Sequence, residues 1–289
     1  MASAYEGLEH RLAAAAARVG PGPLMEWQLS RLHETRAVPV GVRTVAGVRI
    51  RYVESQGAGG AERSTRQSVD FTARSRSGGM ILAGHESLMK TIVIGTSTIG
   101  NAITALFRDS GHDVIQVGRT SGDAQADLTD ISSLRSLFAQ HVPFTAVANA
   151  AGEVFRAPLG DTDDQQWARS IGSKGMGQIN LVRAGLPYIS DRGSFTLVSG
   201  IVGDEIINAM TIGATVNRMV EGFVQAAATE LPRGVRINCV SPSVLAESVA
   251  DLPSFRGFSP VPAHDVAMAY LRAVSNPYNG RILTLHPTQ

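Results

Sequence analysis

Lys90-Thr-Ile-Val-Ile-Gly-Thr-Ser-Thr-Ile-Gly100 is the stretch that decides the fold of this chain. After Lys90 and Thr91 it runs apolar through Ile92-Val93-Ile94 with no polar face, the pattern of a strand buried on both sides. Glycine then marks the turn into a helix expected from about Ile99 to Asp109. A glycine at a strand–helix turn lets the backbone approach a phosphate group, and the helix N-terminus adds unpaired amides and a positive dipole end. Two glycines can also serve a tight turn with no ligand at all.

Outward from this stretch, apolar strands and amphipathic helices alternate to the end of the chain. Strands are expected at 113–117, 124–126 (very short), 144–148, 194–198, 235–240 and 281–285. Helices are expected at 131–140, 164–189, 208–231 and 263–274. The helix that would join the second and third strands is missing. Repeated strand–helix units need right-handed crossovers. The expected fold class is therefore α/β: a doubly wound parallel sheet, Rossmann-like, of about seven strands, with an N-terminal extension and a ligand at the carboxyl ends of the strands.

The extension differs in character. Residues 1–54 read as a helical segment plus a possible β-hairpin: 4–18 is rich in helix formers and 24–35 suits a second short helix. Residues 40–45 and 48–54 alternate around Ala46-Gly47. Residues 55–88, rich in Gly, Ser, Arg and Gln, read as a disordered linker before a domain at 89–289. An extra domain, a dimerisation arm, or an upstream extension read ahead of a start at Met80 or Met89 all fit.

The 289 residues carry 26 basic and 25 acidic side chains, a balance that offers nucleic acid no footprint. No apolar run suits a bilayer span, and Glu6, Glu9 and His10 stand where a secretory signal would be basic and then apolar. The lone Cys239 excludes an internal disulfide and fits the cytoplasm, and seven scattered histidines indicate no metal site. Only two lysines occur, Lys90 and Lys174.

Further segments stand in a telling order: Val117-Gly-Arg-Thr120, Ala126-Asp-Leu-Thr-Asp130, Asn149-Ala-Ala-Gly152, Val198-Ser-Gly200, Ala228-Thr-Glu-Leu231 and Val235-Arg-Ile-Asn-Cys-Val-Ser-Pro242. With the glycine turn they resemble the short-chain dehydrogenase/reductase family, in compact, divergent form, from Met89 onward. The resemblance implies a dinucleotide cofactor. Gly95, Thr96, Ser97, Ile99 and Gly100 would hold the pyrophosphate. Arg119 and Thr120, with Ser121, would meet the adenosine ribose. An arginine there suits the 2′-phosphate, so NADP is favoured over NAD; the plain alternative is a solvent-facing arginine. Asp127 and Leu128 would flank the adenine. Asn149, Ala150, Ala151 and Gly152 would line the other ribose, and Pro242 and Val244 the nicotinamide end. The turn is one residue shorter than the family pattern and lacks its middle glycine.

The family moves a hydride between cofactor and a carbonyl or alcohol, with a tyrosine as acid/base, a lysine four residues on, a serine thirteen before and an asparagine on the preceding helix. Here those positions fall on Gly213, Asn217, Gly200 and Lys174. Lys174, Ser199 and Asn217 become the candidate catalytic groups: Lys174 as a buried general acid or ribose anchor, Ser199 as a hydrogen-bond donor, Asn217 partly in the lost lysine's place. An exposed lysine and a strand-end serine bonded to its own backbone are the plain alternatives. Asp204 and Glu205 read as solvated loop carboxylates. The loop 248–262, with Phe255 and Phe258, would cap a pocket for a fairly apolar small-molecule substrate.

Two functions compete. One is an NADP(H)-dependent oxidoreductase on a small carbonyl or alcohol with a non-standard acid/base. The other is a non-redox protein on the same fold, a nucleotide sensor or a cyclase- or isomerase-type enzyme. The resemblance also implies a homodimer or homotetramer through the two long helices, and no nucleic-acid or membrane partner.

Overall fold

Strands without a polar face must be covered on both sides, and the C-terminal part of this chain is built on that requirement. The computed structural model describes strands at 26–28, 37–45, 48–55, 68–74 and 80–87, and residues 89–286. The chain divides into two units, Met1–Leu88 and Met89–Gln289.

In the first unit, β1 (Glu26–Gln28), β4 (Ser68–Arg74) and β5 (Met80–Ser87) form an antiparallel sheet in the order β1-β4-β5. β2 (Ala37–Val45) and β3 (Val48–Ser55) pair antiparallel by themselves. Two expectations change here. β1 stands where a short helix at 24–35 was expected, because pairing with β4 overrides local helix propensity. The expected linker 55–88 carries two paired strands, whose alternation in Ser-Val-Asp-Phe-Thr-Ala-Arg is a weak strand signal among polar neighbours. The helix expected at 4–18 lies outside the described residues.

The second unit holds a seven-stranded, wholly parallel sheet in the order β12-β11-β10-β9-β6-β7-β8. Its strands are β6 (Lys90–Ile94), β7 (Asp113–Gly118), β8 (Ala124–Gln125), β9 (Phe144–Asn149), β10 (Ile189–Val198), β11 (Arg236–Pro242) and β12 (Ile282–Leu285). The chain runs outward from β6 through β7 to β8, then returns to β9 on the other side of β6. That reversal opens a crevice at the carboxyl ends of β6 and β9.

Side chains alternate across this sheet into two cores. Ile92, Ile94, Val147, Leu197 and Cys239 face α2 (Ile131–Gln140), α4 (Gly177–Gly185) and α5 (Thr211–Ala227). Val93, Ala146, Ala148 and Val240 face α1 (Thr98–Asp109) and α6 (Ala263–Ser275). α2 begins where Asp130 caps it, its carboxylate accepting from Ser132 N at 2.8 Å.

The expected helix 164–189 is three pieces: α3 (Asp164–Ser170), a π turn (Ile171–Met176) and α4. Its last expected residue, Ile189, already pairs with Phe144 as the start of β10. The helix expected at 208–231 narrows to α5. Between β10 and α5, and after β11, two loops pack on each other: Ile201, Ile207, Met210, Val244 and Phe255 form a third apolar cluster, with Phe258 against it.

Tyr270 of α6 is fully buried and donates its hydroxyl to Asn149 O at 2.6 Å, tying a helix to the end of β9. Burial pushes its phenol well above the ordinary range, so it remains a donor. Replacing it, Tyr270→Phe, removes that donor from a buried carbonyl and should cost about 1–3 kcal/mol. Urea unfolding of the full chain measures this; an unchanged midpoint would show the bond to be dispensable.

Candidate functional site

The carboxyl end of β6 turns sharply at Gly95, whose φ of +126° lies in a region side chains rarely adopt. A Cβ on Gly100 would lie 2.2 Å from Gly95 O, so α1 meets the strand end only because this residue has none. Ser97 stands at the N-cap without bonding the helix through its side chain. The first-turn amides of α1 therefore keep their need for an acceptor. Ser97 and Thr98 are exposed there, Thr96 and Ile99 half-buried. Ser121 Oγ donates to Thr96 Oγ1 at 3.1 Å, closing the turn from the β7 side.

Arg119 and Thr120 follow β7 as exposed residues on a short connection to β8, with no intervening helix. Asp127 accepts from Thr129 N at 2.8 Å and Thr129 Oγ1 at 2.7 Å. These bonds hold its carboxyl below the usual range, and the Arg119 charge adds to the effect. Leu128 is half-buried beside it and touches the position of a Cβ on Gly177.

Asn149 ends β9 with its side chain turned inward, 0% exposed: Nδ2 donates to Gln178 Oε1 and to Ala151 O, both at 2.9 Å. It shapes the turn Ala150-Ala151-Gly152, and those three residues lie at the crevice edge. Gln178, which the sequence reading passed over, has every capacity of its amide filled. Its Oε1 accepts from Asn149 Nδ2 and Val198 N, and its Nε2 donates to Val198 O at 2.8 Å and Lys174 O at 2.9 Å. The available signal was a polar residue four positions after Lys174, on the inner face of the same helix.

Lys174 sits on the π turn, a helical irregularity frequent at functional sites. Its stem passes so close to Gly152 (φ +146°) that a Cβ there would lie 2.9 Å from Lys174 Cγ. Nζ donates to Ser199 O at 3.0 Å, at the end of β10. Burial of the amine lowers its pKa to about 8, with Arg156 acting in the same sense and Glu221 in the opposite one. Asn217, 1% exposed on α5, donates Nδ2 to Gly200 O at 2.9 Å. Lys174 and Asn217 thus hold consecutive carbonyls from two different helices. Asn217 Oδ1 and Glu221 Oε1 are buried without a hydrogen-bond partner, and Ser199 Oγ meets only the Cys239 thiol. Burial pushes the Cys239 thiol up to about 12, so it stays a neutral group. Pro242 and Val244 are buried, and Val244 belongs to the apolar cluster of the two loops.

A Cβ on Gly213, where the family tyrosine would stand, meets Val202 Cγ2 at 3.3 Å and Val154 Cγ1 at 3.5 Å. Asp204, expected to be solvated, pairs with Arg218 at 2.6 Å, and Arg218 also holds the buried Glu221 at 2.8 Å. On the far side of this network, Ser241 Oγ, His286 Nε2 (3.2 Å) and Asp204 Oδ2 (3.7 Å from His286 Nδ1) fall in line. Ser241 is 0% exposed and Pro242 after it has no N–H to stabilise an oxyanion, so this is a tether for the chain's last strand and not a nucleophile. Among the described residues no group of His, Cys, Asp and Glu could hold a metal, and no helix is long and apolar enough to cross a membrane.

The donor set suits a dinucleotide: a glycine turn beneath an uncapped helix end, an arginine at the next strand end, and a fixed carboxylate after the third. Comparison with known proteins agrees with this geometry. Residues 93–278 match the family described as enoyl-(acyl carrier protein) reductase. The solved structure of the protein lin1944 from Listeria innocua is 39% identical, covers 68% of this chain and all of its own, and superposes with a TM-score of 0.67. The 2-keto-3-deoxy-L-fuconate dehydrogenase of Xanthomonas campestris pv. campestris is 27% identical over 53% of this chain, and this chain spans half the length of that relative. A small-chain dehydrogenase solved in complex with NADPH is 24% identical, with a TM-score of 0.62 over 69% of this chain and 97% of its own, a likeness of fold. Its parallel sheet, ordered motifs and these matches place the chain in the short-chain dehydrogenase/reductase family.

Proposed function

We propose that this protein is an NADP(H)-dependent oxidoreductase for a small carbonyl or alcohol, with Lys174 as its proton donor and acceptor. The observation that carries this reading is the Lys174 amine, fixed on the Ser199 carbonyl beside the turn 150–152 where the family's acid would converge. The cofactor, when bound, supplies or accepts the hydride. Gly95 to Gly100 and the α1 amides would hold its pyrophosphate, Arg119 and Thr120 a 2′-phosphate, and Asp127 and Leu128 the adenine. Ala150, Ala151 and Gly152 would line the second ribose, with Asn149 setting their turn, and Pro242 and Val244 would back the nicotinamide end.

Lys174 would give a proton to the oxygen of a carbonyl as negative charge gathers there. An amine titrating near 8 is suited to both halves of that exchange. Asn217 and Ser199 act as positioning residues, since the Asn217 amide holds Gly200 O and the Ser199 carbonyl receives Lys174. The apolar loops around Val244 and Phe255 would exclude water. A non-redox reading has one observation of its own: Val202 and Val154 occupy the edge of the tyrosine's place, so the site was rebuilt without that acid.

Three results test this reading. Calorimetric titration should show NADPH binding, with Arg119→Ala weakening NADPH by about tenfold or more and leaving NADH nearly unchanged. Failure to bind either nucleotide would remove the oxidoreductase reading. Second, Gly213→Tyr should not create activity and should destabilise the fold by about 1–3 kcal/mol through overpacking; a stable variant that turns over carbonyls would contradict it. Third, the Lys174 pKa of about 8 lies below the 10.5 of an ordinary lysine, so between those values the unfolded chain binds more protons than the folded one. Stability of the native chain relative to Lys174→Met should therefore rise as pH goes from about 8 toward 10.5. Denaturant midpoints at the two ends of that window measure it, and a constant gap would place the amine in water.

A further inference from the structure

We propose that Lys174 is a nucleophilic lysine whose Nζ condenses with small aldehydes and ketones, forming a Schiff base at the carboxyl end of β10. The inference shares Lys174 with the hydride reading but needs no cofactor.

Of the four positions where the family's groups converge, 174, 200, 213 and 217, only the first carries an ionisable side chain. Its amine donates one hydrogen bond, to Ser199 O, and enters no ion pair among the described residues. A structural lysine that was merely neutralised would be expected to have a carboxylate at its end. The stem of Lys174 runs against the main chain of Gly152, where a Cβ would lie 2.9 Å from Cγ, so the base of the side chain is fixed there. Asn217 Oδ1, whose amide nitrogen holds the carbonyl next to the one that receives Lys174, is buried without a partner, while Ser199 Oγ meets the Cys239 thiol. A buried amide oxygen without a partner calls for an explanation, and a carbinolamine hydroxyl offers it one.

In the step itself the lone pair of the neutral amine forms a C–N bond to the carbonyl carbon. The carbonyl oxygen then leaves as water, taking with it the two amine protons, and a C=N bond remains. No oxidant or reductant takes part. Desolvation supports this chemistry, because it leaves about a tenth of the amine unprotonated at pH 7.

The test uses the whole, folded protein with isobutyraldehyde and cyanoborohydride at pH 7, followed by digestion and peptide mass spectrometry. With only Lys90 and Lys174 in the chain, each adduct has an unambiguous address and Lys90 serves as the internal reference. A shift from 10.5 to about 8 raises the free amine by on the order of a hundredfold at neutral pH, so Lys174 should be alkylated at least about tenfold faster than Lys90. In concentrated urea that preference should vanish. Labelling of Lys174 no faster than Lys90 in the folded chain, or none at all, overturns the proposal. Calorimetry with NADPH on the same sample keeps the two readings apart: nucleotide binding without trapping removes this one alone, and trapping without nucleotide binding removes only the hydride reading.

Discussion

The Gln178 carboxamide is the fastening on which the ligand-facing end of this sheet depends. One planar group joins the end of β9 through Asn149, the end of β10 through both backbone atoms of Val198, and the π turn through Lys174 O. It is 0% exposed, so any bond it lost would leave a polar atom with neither protein nor water. Parallel strands have no hairpin to fix their relative ends, and this crevice lies where chain order reverses. A satisfied amide at that place sets the separation of the two strand ends. Tyr270 does the corresponding work from the opposite face by holding Asn149 O.

From that fastening the site acquires its unusual layout. The Gln178 side chain places a donor on the carbonyl of Lys174, within the widened turn, and inserted donors of this kind disturb the regular helical ladder. The turn presents Lys174 toward β10 from the α3–α4 side, while α5, which carries the family's acid and lysine positions, offers Gly213 and Asn217. The polar groups that the family pattern gathers on one helix are here spread over two. Glu221 lies one turn beyond Asn217, on the same buried face, and Arg218 links it to Asp204 in the loop after β10.

Much of the fold could be read from local pattern because each strand and helix buries its own apolar set. The α2 boundaries follow from a capping aspartate and a clean periodicity, both local signals. The segment 164–189 was read as one helix because periodicity cannot show a turn with one extra residue, nor a strand beginning at Ile189 by pairing with distant Phe144. In the N-terminal unit, β1 and β4 owe their form to each other, and neither sequence declares it alone. The site divides in the same way. The strand-end motifs were visible as short words, but Gln178 joins the strand ends through partners 20 and 29 residues away, and a lone glutamine gives no sign of them.

The widened turn at 171–176 also bears on how this gene can change. A π turn is an α-helix with one residue too many, and losing one codon just before Lys174 would restore the regular ladder. Downstream residues would keep their places in the core. Residues before the deletion would be rotated by roughly 100° relative to Lys174 and all that follows it, one step of an α-helix. The extra residue therefore sets the angle between the face of α3 that carries Ser170, bonded to Phe155 N, and the face that carries Lys174 and Gln178.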